Sequence, residues 1–248
     1  MSRVEYYIQE LRRLEDWEPY LLTESGLPGP RGNIELAQAV AEEGDEALFE
    51  RLLSYDPVRA PTNSPEEFLA FCGVLGQGKL LATGKREVLG KLRFYAEDPR
   101  WRSREAVAMA LQRFGDTNID ELLDEMDKWG EGNMWVQRAV AAALCEPRLL
   151  LQQKHAERVL GILDRITALL ENSENKKNGG FRVLRQALGY CWSVATVAFP
   201  EKGKKMMEHW FVSQDRDVRW IMRENLKKSR LARMDANWAG YWRDKLTV

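Results

Sequence analysis

The chain has 248 residues, of which 44% are hydrophobic and 30% charged, with a net charge of −1. That is enough length to bury a substantial core as one large domain or two small ones, and the composition is ordinary for a globular protein. No run of about 18 apolar residues occurs, so no transmembrane helix is expected.

The opening stretch, MSRVEYYIQELRRLEDWEPY, alternates charged and apolar residues and lacks an apolar h-region, so no signal peptide is expected. Helical periodicity then dominates, first in NIELAQAVAEEGDEALFERLLSY. The breakers SGLPGPRGN and DPVRAPTNSP flank it and depart from any repeat. Residues 1–97 are accordingly expected to form an irregular helical cap. Within them, Gly73 to Leu80 (GVLGQGKL) is a near miss for a phosphate-binding loop, with Leu80 where the magnesium-holding hydroxyl should stand. It follows helical FLAFCG where a strand is required, so it is expected to be an interhelical loop, and no nucleotide cofactor is expected.

From residue 98 the helical segments recur. SREAVAMALQRF, HAERVLGILDRITALLEN and VRWIMRENLKKSRL are separated by GEGN, NSENKKNGG and FPEKGK. Setting REAVAMAL (from Arg104) over QRAVAAAL (from Gln137), RQALGYCW (from Arg185) and RWIMRENL (from Arg219) gives shifts of 33, 48 and 34 residues. Asp98 to Arg102 and Asp215 to Arg219 are acidic, arginine-bearing turns standing before two of these octets. A period of about 40 residues in an all-α chain predicts a right-handed α-solenoid of HEAT-like helical repeats over 98–248, the second helices lining a concave surface. Strand signals are nearly absent.

Charge is unevenly distributed. Residues 176–248 hold 16 Lys and Arg against 7 Asp and Glu, an excess of +9, and the remainder holds 21 against 31, or −10. A chain divided in this way can offer a basic face to a polyanion despite a pI of about 6.3. In the aligned register Glu105, Arg138, Gln186 and Trp220 share one position, and Tyr190 falls one turn after Gln186 on the same helix face. Trp101, four residues before Glu105, extends the strip. Arg219, Arg223 and Lys227 recur at helical spacing in the basic segment, and Arg185 and Trp135 stand near the starts of the repeated helices.

Neither of the two histidines, His155 and His209, lies near a cysteine pair, so no zinc spacing is present and no metal is expected. Cys72, Cys145 and Cys191 are far apart in apolar contexts, which predicts reduced core thiols in a cytoplasmic protein. Most of the nine tryptophans are expected to pack between helices. A groove mixing Trp, Tyr and Arg can also hold a sugar-phosphate backbone.

The segment from Trp101 to Arg233 resembles the AlkD-type alkylpurine DNA glycosylases. Trp101 followed by Glu105 matches the family's Trp-x-x-x-carboxylate. Trp129, Asn133, Trp135, Arg138 and Ala139 match its W-x-x-x-x-N-x-W-x-x-R-A run, and Ala187, Gly189, Tyr190 and Pro200 match a third helix. The catalytic carboxylate is Asp in the family and Glu105 here, and the second groove aromatic is Trp in the family and Tyr190 here. The resemblance implies a HEAT-like fold that binds duplex DNA and hydrolyses the N-glycosidic bond of alkylated purines, with no cofactor. On it, Glu105 stabilises the positive charge that develops on deoxyribose and orients water. Trp101 and Tyr190 pack against the sugar, and Arg138 holds a phosphate. The structural alternative for Glu105 is an ion pair with Arg102, Arg104 or Arg138. The alternative for the whole chain is a noncatalytic HEAT-repeat scaffold that grips a protein partner.

Overall fold

A computed structural model of the protein describes residues 1–247. Among these residues all regular structure is helical, and the chain divides into two compact units, 1–117 and 118–248. The first unit therefore runs through the helix that was expected to open the repeats, past residue 97.

The first unit holds α1 (Arg3–Leu11), α2 (Glu18–Glu24), α3 (Ile34–Glu43), α4 (Glu46–Leu53), α5 (Pro65–Ala82), α6 (Val88–Tyr95) and α7 (Trp101–Thr117). Short polar side chains set several of the starts. Asn33, Asp45 and Ser64 each accept a backbone N–H from the first turn of the helix that follows, satisfying donors that have no intrahelical partner. The central element is α5, which packs against α2, α3, α4, α6 and α7.

Its sequence explains that density of neighbours. Gly73, Gly76 and Gly78 lie inside this continuous helix, which corrects the expectation of an interhelical loop. Each allows a partner to approach closely. A Cβ at Gly73 would lie 3.0 Å from the Leu53 backbone nitrogen, one at Gly76 would enter the Phe49 ring, and one at Gly78 would lie 2.7 Å from the Ala110 Cα of α7. Lys79, the other half of the apparent phosphate motif, donates to the carbonyls of Glu42 and Gly44 at the end of α3.

The second unit holds α8 (Ile119–Trp129), α9 (Met134–Leu144), a 3₁₀ turn (Pro147–Leu149), α10 (Gln153–Glu171), α11 (Gly179–Ala198), α12 (Pro200–Phe211), α13 (Arg216–Leu226), α14 (Ser229–Met234) and α15 (Ala236–Thr247). Asn133, Asn178 and Asp215 cap α9, α11 and α13. These three helices form one layer, α11 lying between α9 and α13, and α8, α10 and α12 form the layer behind it. Ion pairs join the rear helices in succession. Lys154 and Arg158 of α10 meet Asp120 and Asp124 of α8, Arg165 meets Asp127, and Lys202 of α12 meets Glu157.

Burial follows the aligned octets. Their fourth positions (Val107, Val140, Leu188, Met222), seventh positions (Ala110, Ala143, Cys191, Asn225) and eighth positions (Leu111, Leu144, Trp192, Leu226) are all buried. The second position (Glu105, Arg138, Gln186, Trp220) is buried in none of them. Fully burying each large apolar side chain contributes roughly 1.5–3 kcal/mol. The indole of Trp192 reaches Thr167 of α10 with its N–H at 3.0 Å, so its one polar group is satisfied inside the core.

Candidate functional site

The first unit carries Trp101 and Glu105, one turn apart on α7. Trp101 is 46% exposed and Glu105 is half-buried. The arginines around them belong to the interior. Arg100 chelates the Asp98 carboxylate at 2.9 and 2.7 Å and donates to the carbonyls of Tyr55 and Ala60. Arg102 is paired with the fully buried Glu67 at 2.9 Å and also donates to the Gly29 carbonyl. Arg104 donates to the carbonyls of Asp98 and Pro99. The Arg102 guanidinium carbon lies 4.5 Å from the centre of the Trp101 ring, so the buried cation supports the exposed indole from below. Through Gly29, the Pro- and Gly-rich segment SGLPGPRGN is tied to the same arginine.

In the second unit, the exposed face of the α9–α11–α13 layer is read directly from burial. On α9 the residues short of full burial are Met134, Trp135, Arg138 and Ala142, at helical spacing. On α11 the exposed residues are Arg182, Gln186, Tyr190 and Val197. On α13 Arg216 and Arg223 are exposed and Arg219 and Trp220 are half-buried, and Lys227 follows as the exposed C-cap. Since the opposite sides of these helices lean on α8, α10 and α12, all these residues lie on one face of one layer.

The charges of this unit are sorted by layer. Over α9, α11, α13 and α14, with Lys227 and Lys228, ten Lys and Arg stand against two Asp and Glu. Over α8, α10 and α12, seven stand against ten. Four ion pairs cross between the rear helices and use eight of those seventeen charges. On the front face, no carboxylate among the described residues pairs with Arg182, Arg219 or Arg223. Lys227 is tied to Glu224 of its own helix.

The aromatic residues of this face divide into two kinds. Trp135 and Trp220 fill gaps left by glycine. A Cβ at Gly180 would meet the Trp135 indole at 3.1 Å, and a Cβ at Gly189 would meet the Trp220 ring at 3.1 Å. The Arg185 guanidinium stacks 3.7 Å from the centre of Trp220 and its Nε lies 2.8 Å from Asp217, so it is spent on joining α11 to α13. Tyr190 is the other kind. It is 41% exposed, its hydroxyl accepts from Arg230 at 2.9 Å, and Arg230 and Lys228 stand 4.5 and 5.9 Å from its ring centre.

Sequence reasoning missed Arg182, and it read Lys228 and Arg230 only as members of the basic run, not as neighbours of Tyr190. The basic run from Arg216 to Arg233 held a signal for the last two. What it did not show was that the turn between α13 and α14 returns them to an aromatic ring 40 residues earlier. Among the described residues no group of three His, Cys, Asp or Glu side chains could hold a metal ion, and no helix is long and apolar enough to cross a membrane. Comparison with family models, curated proteins and solved structures finds no match for the chain.

Proposed function

We propose that the chain is an α-solenoid of HEAT-like repeats that binds duplex DNA along the exposed face of α9, α11 and α13. The observation that carries this reading is the sorting of charge between the two layers of the second unit. Helices α9, α11, α13 and α14, with Lys227 and Lys228, carry ten cations and two carboxylates. Leaving Arg182, Arg219 and Arg223 without acidic partners among the described residues, they suit a polymer with one phosphate per about 1.7 Å of duplex axis. Arg138, Arg182, Arg219, Arg223 and Lys227 meet phosphates in this reading, and Tyr190 packs against sugar or base. Arg185, Trp135 and Trp220 hold the helices that present them.

The resemblance to AlkD-type glycosylases extends the proposal to chemistry. An alkylated purine is cationic and already a good leaving group, so water adds at the sugar carbon, the base departs with the bonding electron pair, and the water's proton is lost to solvent. Glu105 is the carboxylate assigned to stabilising the sugar cation, and Trp101 is the aromatic beside it. The noncatalytic scaffold reading draws instead on the first unit, where 15 basic residues stand against 20 acidic ones.

Fluorescence anisotropy with a labelled duplex tests the binding. Affinity is expected to fall about 100-fold or more between about 50 and 200 mM salt, and Arg138→Ala and Arg223→Ala to weaken binding at any sequence. Equal affinity at both salt concentrations would overturn the reading. Release of 7-methylguanine from alkylated duplex, abolished in Glu105→Gln, tests the chemistry; no release by the unaltered chain leaves a binding protein.

A further inference from the structure

We infer that a cavity beside α6 in the first unit is a receptor for a cationic side chain, an arginine or lysine presented by a partner polypeptide. The cavity has a volume of about 370 Å³ and its apolar wall is Leu53, Pro57, Phe94, Tyr95 and Pro99. Phe94 is 74% exposed, which is unusual for a phenylalanine with no packing role. Its ring stands 5.3 Å from that of Tyr95 at an interplanar angle of 86°, so the two form a right-angled aromatic corner. Aromatic corners of this kind attract cations through the ring quadrupoles.

The charges lining the cavity favour the same guest. They are Asp56, Glu97, Asp98 and Arg100, and since Glu97 has an interaction of its own, the carboxylate offered to a guest is Asp56. Asp98 and Arg100 satisfy each other. One Asp56 oxygen accepts the N–H groups of Val58 and Arg59 at 2.8 and 2.9 Å, and among the described residues nothing bonds the other. Those two donors hold the Asp56 carboxyl below its ordinary range, so it is ionised at neutral pH. On the other side of Phe94 a second cavity of about 500 Å³ shares Leu53, Phe94 and Tyr95 and is open at Gly90, where a Cβ would meet nothing. That second cavity is also lined by the Glu50–Lys91 ion pair, so the guest is specified by the first cavity alone.

The test is a titration of the full ¹⁵N-labelled chain, followed by NMR, with N-acetyl-arginine methylamide and with its neutral isostere N-acetyl-citrulline methylamide. Saturable shifts confined to the backbone around Asp56, Phe94 and Tyr95 are expected for the arginine probe, with Kd of about 1–10 mM. The citrulline probe is expected to bind at least about tenfold more weakly, and Phe94→Ala and Asp56→Asn to weaken the arginine probe about fivefold or more. Asn keeps the acceptor for Val58 and Arg59, and Phe94 is exposed, so both variants are expected to keep the wild-type melting curve. Absence of saturable shifts, equal binding of the two probes, or unchanged binding by well-folded Phe94→Ala overturns the proposal. The duplex titration reports on the other unit, so its outcome is independent.

Discussion

The side-chain oxygen of Asn225, in α13, accepts the backbone N–H of Ser193 in the C-terminal third of α11 at 2.8 Å. Its amide nitrogen donates to Leu188 O across the same interface and to Ile221 O in its own helix, both at 2.8 Å. Every polar atom of this fully buried side chain is thus used to join two front-layer helices. Asn225→Leu leaves backbone groups of α11 buried without the partner they now have. The expected loss is about 2–4 kcal/mol, seen as a fall in melting temperature of roughly 10 °C by circular dichroism. A fall of a degree or less would show that the interface relaxes around the change.

The Glu67–Arg102 pair gives a second prediction. Both side chains are buried, and removing one strands the charge of the other. Arg102→Met is expected to cost about 3–5 kcal/mol in a urea titration, and Glu67→Leu added to it to restore much of that. If the double variant is no more stable than the single one, the packing of the Arg102 stem, and not its charge, is what matters.

Glycine position decides the third. Gly78→Ala forces a methyl against the Ala110 backbone of α7, and α5 and α7 must part to admit it. A cost of roughly 1–3 kcal/mol is expected. Gly90→Ala adds the same methyl to a helix where nothing lies within 4 Å, and is expected to stabilise by about 0.5–1 kcal/mol. The pair of melting curves should move in opposite directions.

The fourth concerns acid. The hydrogen bond from Lys204 holds the Asp235 carboxyl below its ordinary value, that from Lys154 does the same for Asp120, and that from Arg12 for Glu43. A carboxylate whose pKa is depressed in the folded state stabilises above its unfolded value and loses that contribution as pH falls through the folded one. Stability is therefore expected to hold down to about pH 5 and to drop below about pH 4, and Asp235→Asn to flatten part of the drop. A melting temperature that rises on acidification would contradict the sign.

The helices were legible because their apolar period and caps agree: Asn133, Asn178 and Asp215 each stand at the break where the periodic run begins. The aligned octets were legible in burial, since the positions holding Ala110, Ala143, Cys191 and Asn225 are all interior. The loop reading failed because a residue's type does not disclose its surroundings. Gly73, Gly76, Gly78 and Lys79 spell most of a phosphate loop, yet the glycines admit neighbouring helices and the lysine closes the end of α3. Arg100, just before α7, and Arg102, in its first turn, are drawn inside by the Tyr55 and Ala60 carbonyls and the Glu67 carboxylate. Arg104 is drawn in by the nearby carbonyls of Asp98 and Pro99, and none of these contacts follows from a local period. The Tyr190–Arg230 contact depends on where a six-residue helix is set down after α13, which no local period encodes.

The two-layer sorting of charge has a consequence at a distance. The second unit carries an electric moment running across its layers, positive at the front and slightly negative behind. On the duplex-binding proposal, the field of the polyanion turns such a molecule before any atom touches it, so first collisions are broadside on. Added electrolyte would erase that alignment over a few ångströms, slowing encounter more than it loosens the side chains already seated.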